Sequence, residues 1–413
     1  MQYDMVFEGG GAKGMVFVGA LEVFLSQGHS HGRLLGTSAG AITAALLAAG
    51  YRPDEMLEVL AEKVEGRSVF AGFMATPAEL DKESIQKSDT RELLRNINIP
   101  FLPDRFEEKL DDNLVEWMAA QPSLRNVFSF VERGGWFSAD NFITWLEKRM
   151  DTGLNAGQPR HYSKMTLSEF YDATHKDLSL VGADTTKGLM LVLNHRTAPD
   201  LPLVWAVRMS MSIPLVWQEV IWQSEWGQYR GRDMAGDSIV DGGLLSNFPI
   251  ELFVSRAPTV TAVMGEEVSQ NVLGMMIDES MEVPGAVPAG GAVPAGGAAE
   301  APKTPQKMGV GDLRTVHRIS NLVNTMTGAR DKNVVEAFEK LVVRLPARGY
   351  GTVEFDMTDE RRELLVDAGR TVMKTYLERA AQAEAEVSFG VGPSEDELKA
   401  AKTADNLAMK MLK

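Results

Sequence analysis

The chain contains no cysteine in its 413 residues. Disulfides and thiolate metal sites are therefore excluded, and a reducing compartment fits. Positive charge is scarce. Forty-two Lys and Arg stand against 57 Asp and Glu, a formal net charge of −15. That balance argues against nucleic-acid binding, which needs a basic face. It also supplies no long-range attraction to an anionic membrane. Long apolar runs are missing as well: the best, Ala39 to Gly50, is 12 residues, too short to span a bilayer. No basic stretch precedes the apolar residues that begin at Tyr3, so no signal peptide is expected. Histidine is rare, with six in all, which matters for any hydrolytic chemistry.

Hydrophobic residues are plentiful, at 44%, enough for a sizeable core. The length allows one large domain or two ordinary ones. Tyr3 to Phe7 reads as a buried strand running into Gly9-Gly10-Gly11. A helix is predicted from Lys13 to about Gln27, stopped by Gly28. Leu34-Leu35 ends a short strand at Gly36, and Ala39 to Ala49 is rich in strong helix formers. This alternation predicts an α/β fold with a parallel sheet flanked by helices. Residues 53–150 read as a mostly helical insertion with prolines at 77, 100, 103 and 122. Ser179–Asp184 and Leu189–Leu193 read as strands joined by a turn at Lys187-Gly188. A helix over Trp205–Met211 and a strand at Ile239-Val240 follow. Residues 283–307, with a doubled V-P-A-G-G, read as a flexible loop. Beyond it the pattern predicts a helix over Asp312–Lys340, a strand at Leu341–Val343 and a helix over Thr358–Ala383. A last helix in the 381–413 tail would be capped by Ser394 and Glu397.

Three motifs carry chemistry. Gly36-Thr37-Ser38-Ala39-Gly40 is G-x-S-x-G between a strand and a helix, the setting of a nucleophile elbow that exposes a serine hydroxyl. Gly9-Gly10-Gly11 can present backbone amides to an oxyanion. Asp241-Gly242-Gly243 offers a carboxylate, although D-G is also a common turn pair. Gly9, Gly11 and Gly14 also fit G-x-G-x-x-G, but the dinucleotide fingerprint needs an acid at the end of the next strand. Gly36-Thr37-Ser38 stands there instead. A serine nucleophile needs a base within reach. The candidates His29, His31, His161, His175 and His195 all precede Asp241; only His317 follows it, in a charged helical stretch. A Ser/Asp dyad is chemically preferred over a triad.

The three motifs, in order, resemble the patatin-like phospholipase family. E-G-G-G-A-K-G at 8–14 matches its glycine loop, with Lys13 where Arg is common and Glu8 where Asp or Ser is common. Arg208-Met209-Ser210-Met211-Ser212-Ile213-Pro214 resembles its R-x-S-x-S-x-P segment, Asn247-Phe248-Pro249 its N-x-P continuation, and Gly351–Asp356 a late strand of bacterial members. The resemblance covers about residues 3–380. It implies a three-layer α/β/α fold with a mostly parallel sheet, related to α/β-hydrolases. One domain would then span 1–380, with 381–413 as a tail. By resemblance Ser38 is the nucleophile, Asp241 the base and Gly9, Gly10 and Gly11 the oxyanion hole, supported by Lys13, Gly36, Gly40, Gly242 and Gly243. No metal or cofactor is implied.

The implied substrate is a phospholipid or membrane-surface ester, met by a cytoplasmic protein acting peripherally or by an effector exported without a signal peptide. A free aspartate near its ordinary pKa of about 3.9 is a weak base for serine, so an apolar cleft that raises it is expected. Two other readings stay open: an effector whose lipid binding outweighs turnover, and acyl transfer, whose elbow usually carries His where Thr37 stands. Trp217, Trp222 and Trp226 read either as core indoles or as an interfacial patch.

Overall fold

The computed structural model describes residues 1–78, 88–89, 122–267, 269–286, 337–386 and 395–412. Its centre is an eight-stranded sheet. The strands are β1 (Gln2–Phe7), β2 (Ser30–Thr37), β3 (Leu178–Asp184), β4 (Leu189–Leu193), β5 (Val220–Ile221), β6 (Ser238–Asp241), β7 (Val272–Glu282) and β8 (Val342–Arg348). Five of them are mutually parallel, in the order β3-β2-β1-β7-β8. Strands β4 and β6 pair antiparallel with β3, and β5 with β6. The mostly parallel α/β architecture expected from the strand–helix alternation is what forms.

Pleating divides the strand side chains between two cores. Met5, Phe7, Leu34 and Leu180 enter one; Val6, Leu35 and Val181 enter the other. The first core is covered by α1 (Val16–Ser26), α2 (Ala39–Ala48) and the long α10 (Asp359–Glu386). The second is covered by α8 (Glu251–Val254), α9 (Pro258–Met264) and α11 (Glu395–Met411). Both faces being covered, the central strands read as apolar runs rather than alternating ones. Between these elements lie α3 (Pro53–Ala61), α4 (Pro122–Arg133), α5 (Asp140–Met150), α6 (Leu167–Thr174) and α7 (Leu203–Ser210).

The structure refines several expectations. The described part of 53–150 is only partly helical: it holds a hairpin at Lys63–Val64 and Arg67–Ser68, and a strand Gly135–Phe137 that pairs with Leu215–Trp217. Residues 351–356 are turns, not a strand; Gly351 and Glu354 bond to each other locally, and the strand lies earlier, at Val342–Arg348. The tail is not a free end. Its α11 buries Ala404, Ala408 and Met411, and Asp405 accepts from Ser255 Oγ at 2.6 Å and from the Arg256 amide at 3.0 Å. Trp217, Trp222 and Trp226 are buried, which places them in the core rather than in a surface patch. Most of the helical reading of 79–121, the loop at 287–307, most of the Asp312–Lys340 helix and the Ser394 cap fall outside the described residues.

Helix α2 is buried on nearly every side, as expected of a helix apolar all round. Its first turn lies against β1: a Cβ at Gly40 would stand 2.2 Å from the Phe7 carbonyl oxygen. Gly40→Ala should therefore destabilise the protein by about 2 kcal/mol, although alanine is the better helix former by about 1 kcal/mol. Urea unfolding decides this. A midpoint at or above that of the parent would mean that the helix and strand are not so close.

Candidate active site

Strands β2 and β6 run toward each other along one edge of β3. Thr37 pairs with Val181, and Asp241 pairs with the next residue, Gly182. Strand β4 occupies the opposite edge. The carboxyl end of β2 therefore faces the carboxyl end of β6, and Ser38 meets Asp241 there despite their distance in sequence.

Ser38 has φ 54° and ψ −120°, a backbone state that a residue with a side chain rarely adopts. Such a conformation persists only where the surroundings enforce it. It caps α2 without a side-chain hydrogen bond, so its hydroxyl is not used by the helix. The amide ends of α2 face the same point, and the helix dipole favours negative charge there. Ser38 and Asp241 are 5% and 4% exposed. Asp241 Oδ1 accepts from the Gly243 amide at 2.8 Å, and its own amide donates to the Ser212 carbonyl at 2.9 Å. Burial pushes the Asp241 carboxyl from 3.8 up to about 7; hydrogen bonds from the Ser38 hydroxyl and the Gly243 amide oppose that rise. Oδ2 itself has no partner of good hydrogen-bond geometry. The Ser38–Asp241 contact is thus the loose one common in a site without substrate.

The glycine loop follows β1. The Gly9 amide donates to the Asn247 carbonyl at 3.3 Å, so of the three expected oxyanion donors it is the one already engaged. Among the described residues the Gly10 and Gly11 amides have no acceptor, so they are the available pair. Gly11 has φ 55°, and a Cβ there would stand 2.0 Å from the Thr352 carbonyl. Lys13 is buried and ion-paired with Glu279 of β7. Gly36 pairs with Phe7 across β1 and β2, and Gly242 opens a short 3-10 turn.

Glu8, which the motif alone did not explain, ties the loop down. Its carboxylate accepts from the Ile277 amide at 2.5 Å and from Asn247 Nδ2 at 3.3 Å. Asn247 Nδ2 also reaches the Gly9 carbonyl at 2.9 Å. Through Asn247 the motif Asn247-Phe248-Pro249 thus anchors the glycine loop, a role its spacing did not reveal.

None of the described histidines joins the site. His29 packs on Tyr3 and Phe24, and His31 pairs with Tyr3 at the far end of β2. His161 and His175 are exposed, and His195 stacks on Tyr171 beside Asp177. His317 lies outside the described residues.

An apolar cavity of about 80 Å³ opens beside Ser38. Ala39, Ile42, Thr43 and Leu46 form a helical stripe along it, faced by Met56 and Val59 of α3 and by Phe70, Phe73 and Trp145. Phe355 closes one wall, with its ring 5.7 Å from that of Trp217. Phe355 comes from the turn segment after β8, where the sequence had suggested a strand. No local pattern marks these wall residues; they belong to elements far apart in the chain.

A sequence model of the family described as patatin-like phospholipase matches residues 5–254, more than half of the chain. The chain belongs to the patatin-like phospholipase family. Its sheet and its elbow are those of that fold, and the family's activity is the hydrolysis of lipid esters. The chain is similar to the uncharacterized protein YqhO of Bacillus subtilis (strain 168), with 25% identity over 386 residues, covering 92% of this chain and 99% of that one. Among solved structures it is similar to VipD from Legionella pneumophila (17% identity, TM-score 0.42, 91% of this chain and 67% of that chain). It is also similar to the type III effector protein ExoU of Pseudomonas aeruginosa (15% identity, TM-score 0.37), covering 92% of this chain and 53% of that one. The chain therefore spans about half the length of ExoU. Among the described residues no helix is long and apolar enough to cross a membrane.

The buried carboxyl of Asp241 has a measurable stability signature. Its native pKa is raised above the unfolded value, so the stability it contributes is fully present below about pH 3.8 and is lost as pH rises through about 7. Asp241→Asn keeps the shape and removes that loss. The variant should be the more stable protein at pH 8, by up to about 4 kcal/mol, with a smaller margin at pH 5. Melting temperatures at the two pH values test this; a margin that does not grow with pH would show a solvated carboxylate.

Proposed function

We propose that this chain is a lipid acyl hydrolase of the phospholipase A or lysophospholipase type, cleaving carboxylic esters of glycerophospholipids at a lipid surface. One observation carries the reading: a buried carboxyl tuned to about 7 meets a strained serine at the mouth of an apolar cavity. The cavity suits an acyl chain and repels polar substrates. Residues 1–380 would form one catalytic unit.

In this mechanism the ionised Asp241 takes the proton from Ser38 Oγ as the oxygen attacks the ester carbonyl. The amides of Gly10 and Gly11 hold the developing oxyanion, each such donor being worth about 10²–10³ in rate. The protonated Asp241 then gives its proton to the departing lysophospholipid or glycerol oxygen. An acyl–Ser38 ester remains. Water, deprotonated by Asp241, attacks that ester, and a fatty acid leaves with Ser38 regenerated. A pKa near 7 suits both halves, because the same group must accept and donate near neutral pH.

Ser38→Ala should abolish release of fatty acid from defined phospholipids, measured by mass spectrometry, and a fluorophosphonate should label Ser38 alone. Asp241→Asn should cost about as much as losing the serine, since the two act as a unit. For the parent enzyme kcat/KM should rise with pH around a midpoint near 7, and the activity should survive chelation. Labelling at another serine, or turnover by Asp241→Asn with loss of activity in His195→Ala, would replace the dyad with a different machinery.

A further inference from the structure

The strain at Ser38 needs a cause outside the elbow. Its amide lies just past the last ladder pair, Thr37 with Val181, and as the helix cap it makes no intrahelical bond. A buried amide with no acceptor is costly. Here it donates to Ser210 Oγ at 3.1 Å, a wholly buried side chain and its one acceptor among the described residues. Two residues on, the Ser212 carbonyl accepts from the Asp241 amide at 2.9 Å. Ser212 Oγ in turn donates to the Arg208 carbonyl at 2.5 Å and bonds the Arg208 guanidinium. Arg208 is buried, and among the described residues it has no ion pair with a carboxylate; its Nη2 donates to the Gln218 carbonyl at 2.7 Å. Within one run of five residues, Ser210 therefore bonds the backbone of the serine and Ser212 that of the aspartate.

We propose that Arg208–Ser212 is a strut that sets the spacing of nucleophile and base, with Ser210 as a positioning residue that holds Ser38 in its strained conformation. This rests on the hydrolase reading above, in which Ser38 and Asp241 react together. Ser210 touches neither substrate nor reacting atom. It acts through the Ser38 backbone, and Arg208 acts through Ser212. Misplacing a nucleophile by a fraction of an ångström lowers the rate of the chemical step while leaving the acyl cavity intact.

The test compares Ser210→Ala with Ser179→Ala, which removes another buried serine hydroxyl, one that accepts from Asn194 Nδ2 at 3.0 Å. Activities are expressed per folded molecule, from circular dichroism. Ser210→Ala should lower kcat by about ten- to a hundredfold, with KM and the pH midpoint unchanged. Ser210→Cys, which keeps a weaker acceptor, should recover part of the loss. Ser179→Ala should keep kcat within twofold of the parent, roughly the resolution of such a comparison. Hydrogen exchange of the Ser38 amide, read by mass spectrometry, should accelerate in Ser210→Ala alone. Full kcat per folded Ser210→Ala molecule, a change confined to KM, or an amide that stays protected would overturn the strut. A parent protein inert toward both lipid esters and fluorophosphonate would sink the hydrolase reading instead, and the exchange rate of Ser38 would still decide whether Ser210 holds the elbow.

Discussion

The end-on meeting of β2 and β6 along one edge of β3 is the constraint on which the rest depends. A parallel strand and an antiparallel strand share that edge, so their carboxyl ends must face each other. The register fixes which side chains meet. Slipping β6 by one residue would turn Asp241 to the opposite face and leave Ser38 without a carboxylate. The pairs Ile239–Asp184 and Val240–Ala183, continued by the Thr185 amide on the Ser238 carbonyl at 2.9 Å, hold it against slipping. The site is thus as well defined as the sheet, because it is an extension of the sheet's own ladder.

The same junction concentrates the molecule's unfavourable terms. A carboxyl is kept out of water and a serine is kept in a strained backbone state. Each costs stability on its own. Both are tolerated because the surrounding layers are densely apolar: α1, α2 and α10 on one face, α8, α9 and α11 on the other. In the proposed mechanism, desolvation is also what would make Asp241 a competent base. A solvated aspartate would be ionised but too weakly basic, so the energetic cost and the chemistry have one origin.

What the sequence discloses follows from the range of the contacts involved. The elbow and the glycine loop are local devices, and their glycines stand where backbones meet; both are legible from a dozen residues. Asp241-Gly242-Gly243 gains meaning only in company with them, since D-G turns are common. The parallel sheet follows from strand and helix alternation. The dedication of the Gly9 amide to Asn247, the anchoring of Glu8 on Ile277 and the turn at 351–356 are long-range or backbone-specific events with no local pattern. The aromatic wall of the cavity is of the same kind. Phe73, Trp145, Trp217 and Phe355 converge from four separate elements, and any one of them alone reads as ordinary core.

The stretch that matches the family ends at residue 254, but the pocket does not. Strand β7 supplies the Ile277 amide that seats Glu8 and the carboxylate that pairs with Lys13. The turn after β8 places the Thr352 carbonyl on the Ala12 amide at 2.9 Å, directly behind the glycine loop, and Phe355 in the cavity wall. That turn is itself fixed from α10, where Arg361 bonds Glu354 at 2.9 Å and lies over the Tyr350 ring. Helix α10 is held in turn by α1, with Arg370 on Glu22 at 2.7 Å and Gly369 close against the Val16 carbonyl. The motif-bearing half therefore supplies Ser38 and Asp241, while β7 and the turn between β8 and α10 supply the back of the glycine loop and, through Phe355, one wall of the cavity. Ser38 and most of the cavity wall thus share one stretch of the chain, and Phe355 is the wall residue that comes from beyond it, so that wall can change without touching Ser38 or Asp241, whereas the register of β6 on β3 cannot.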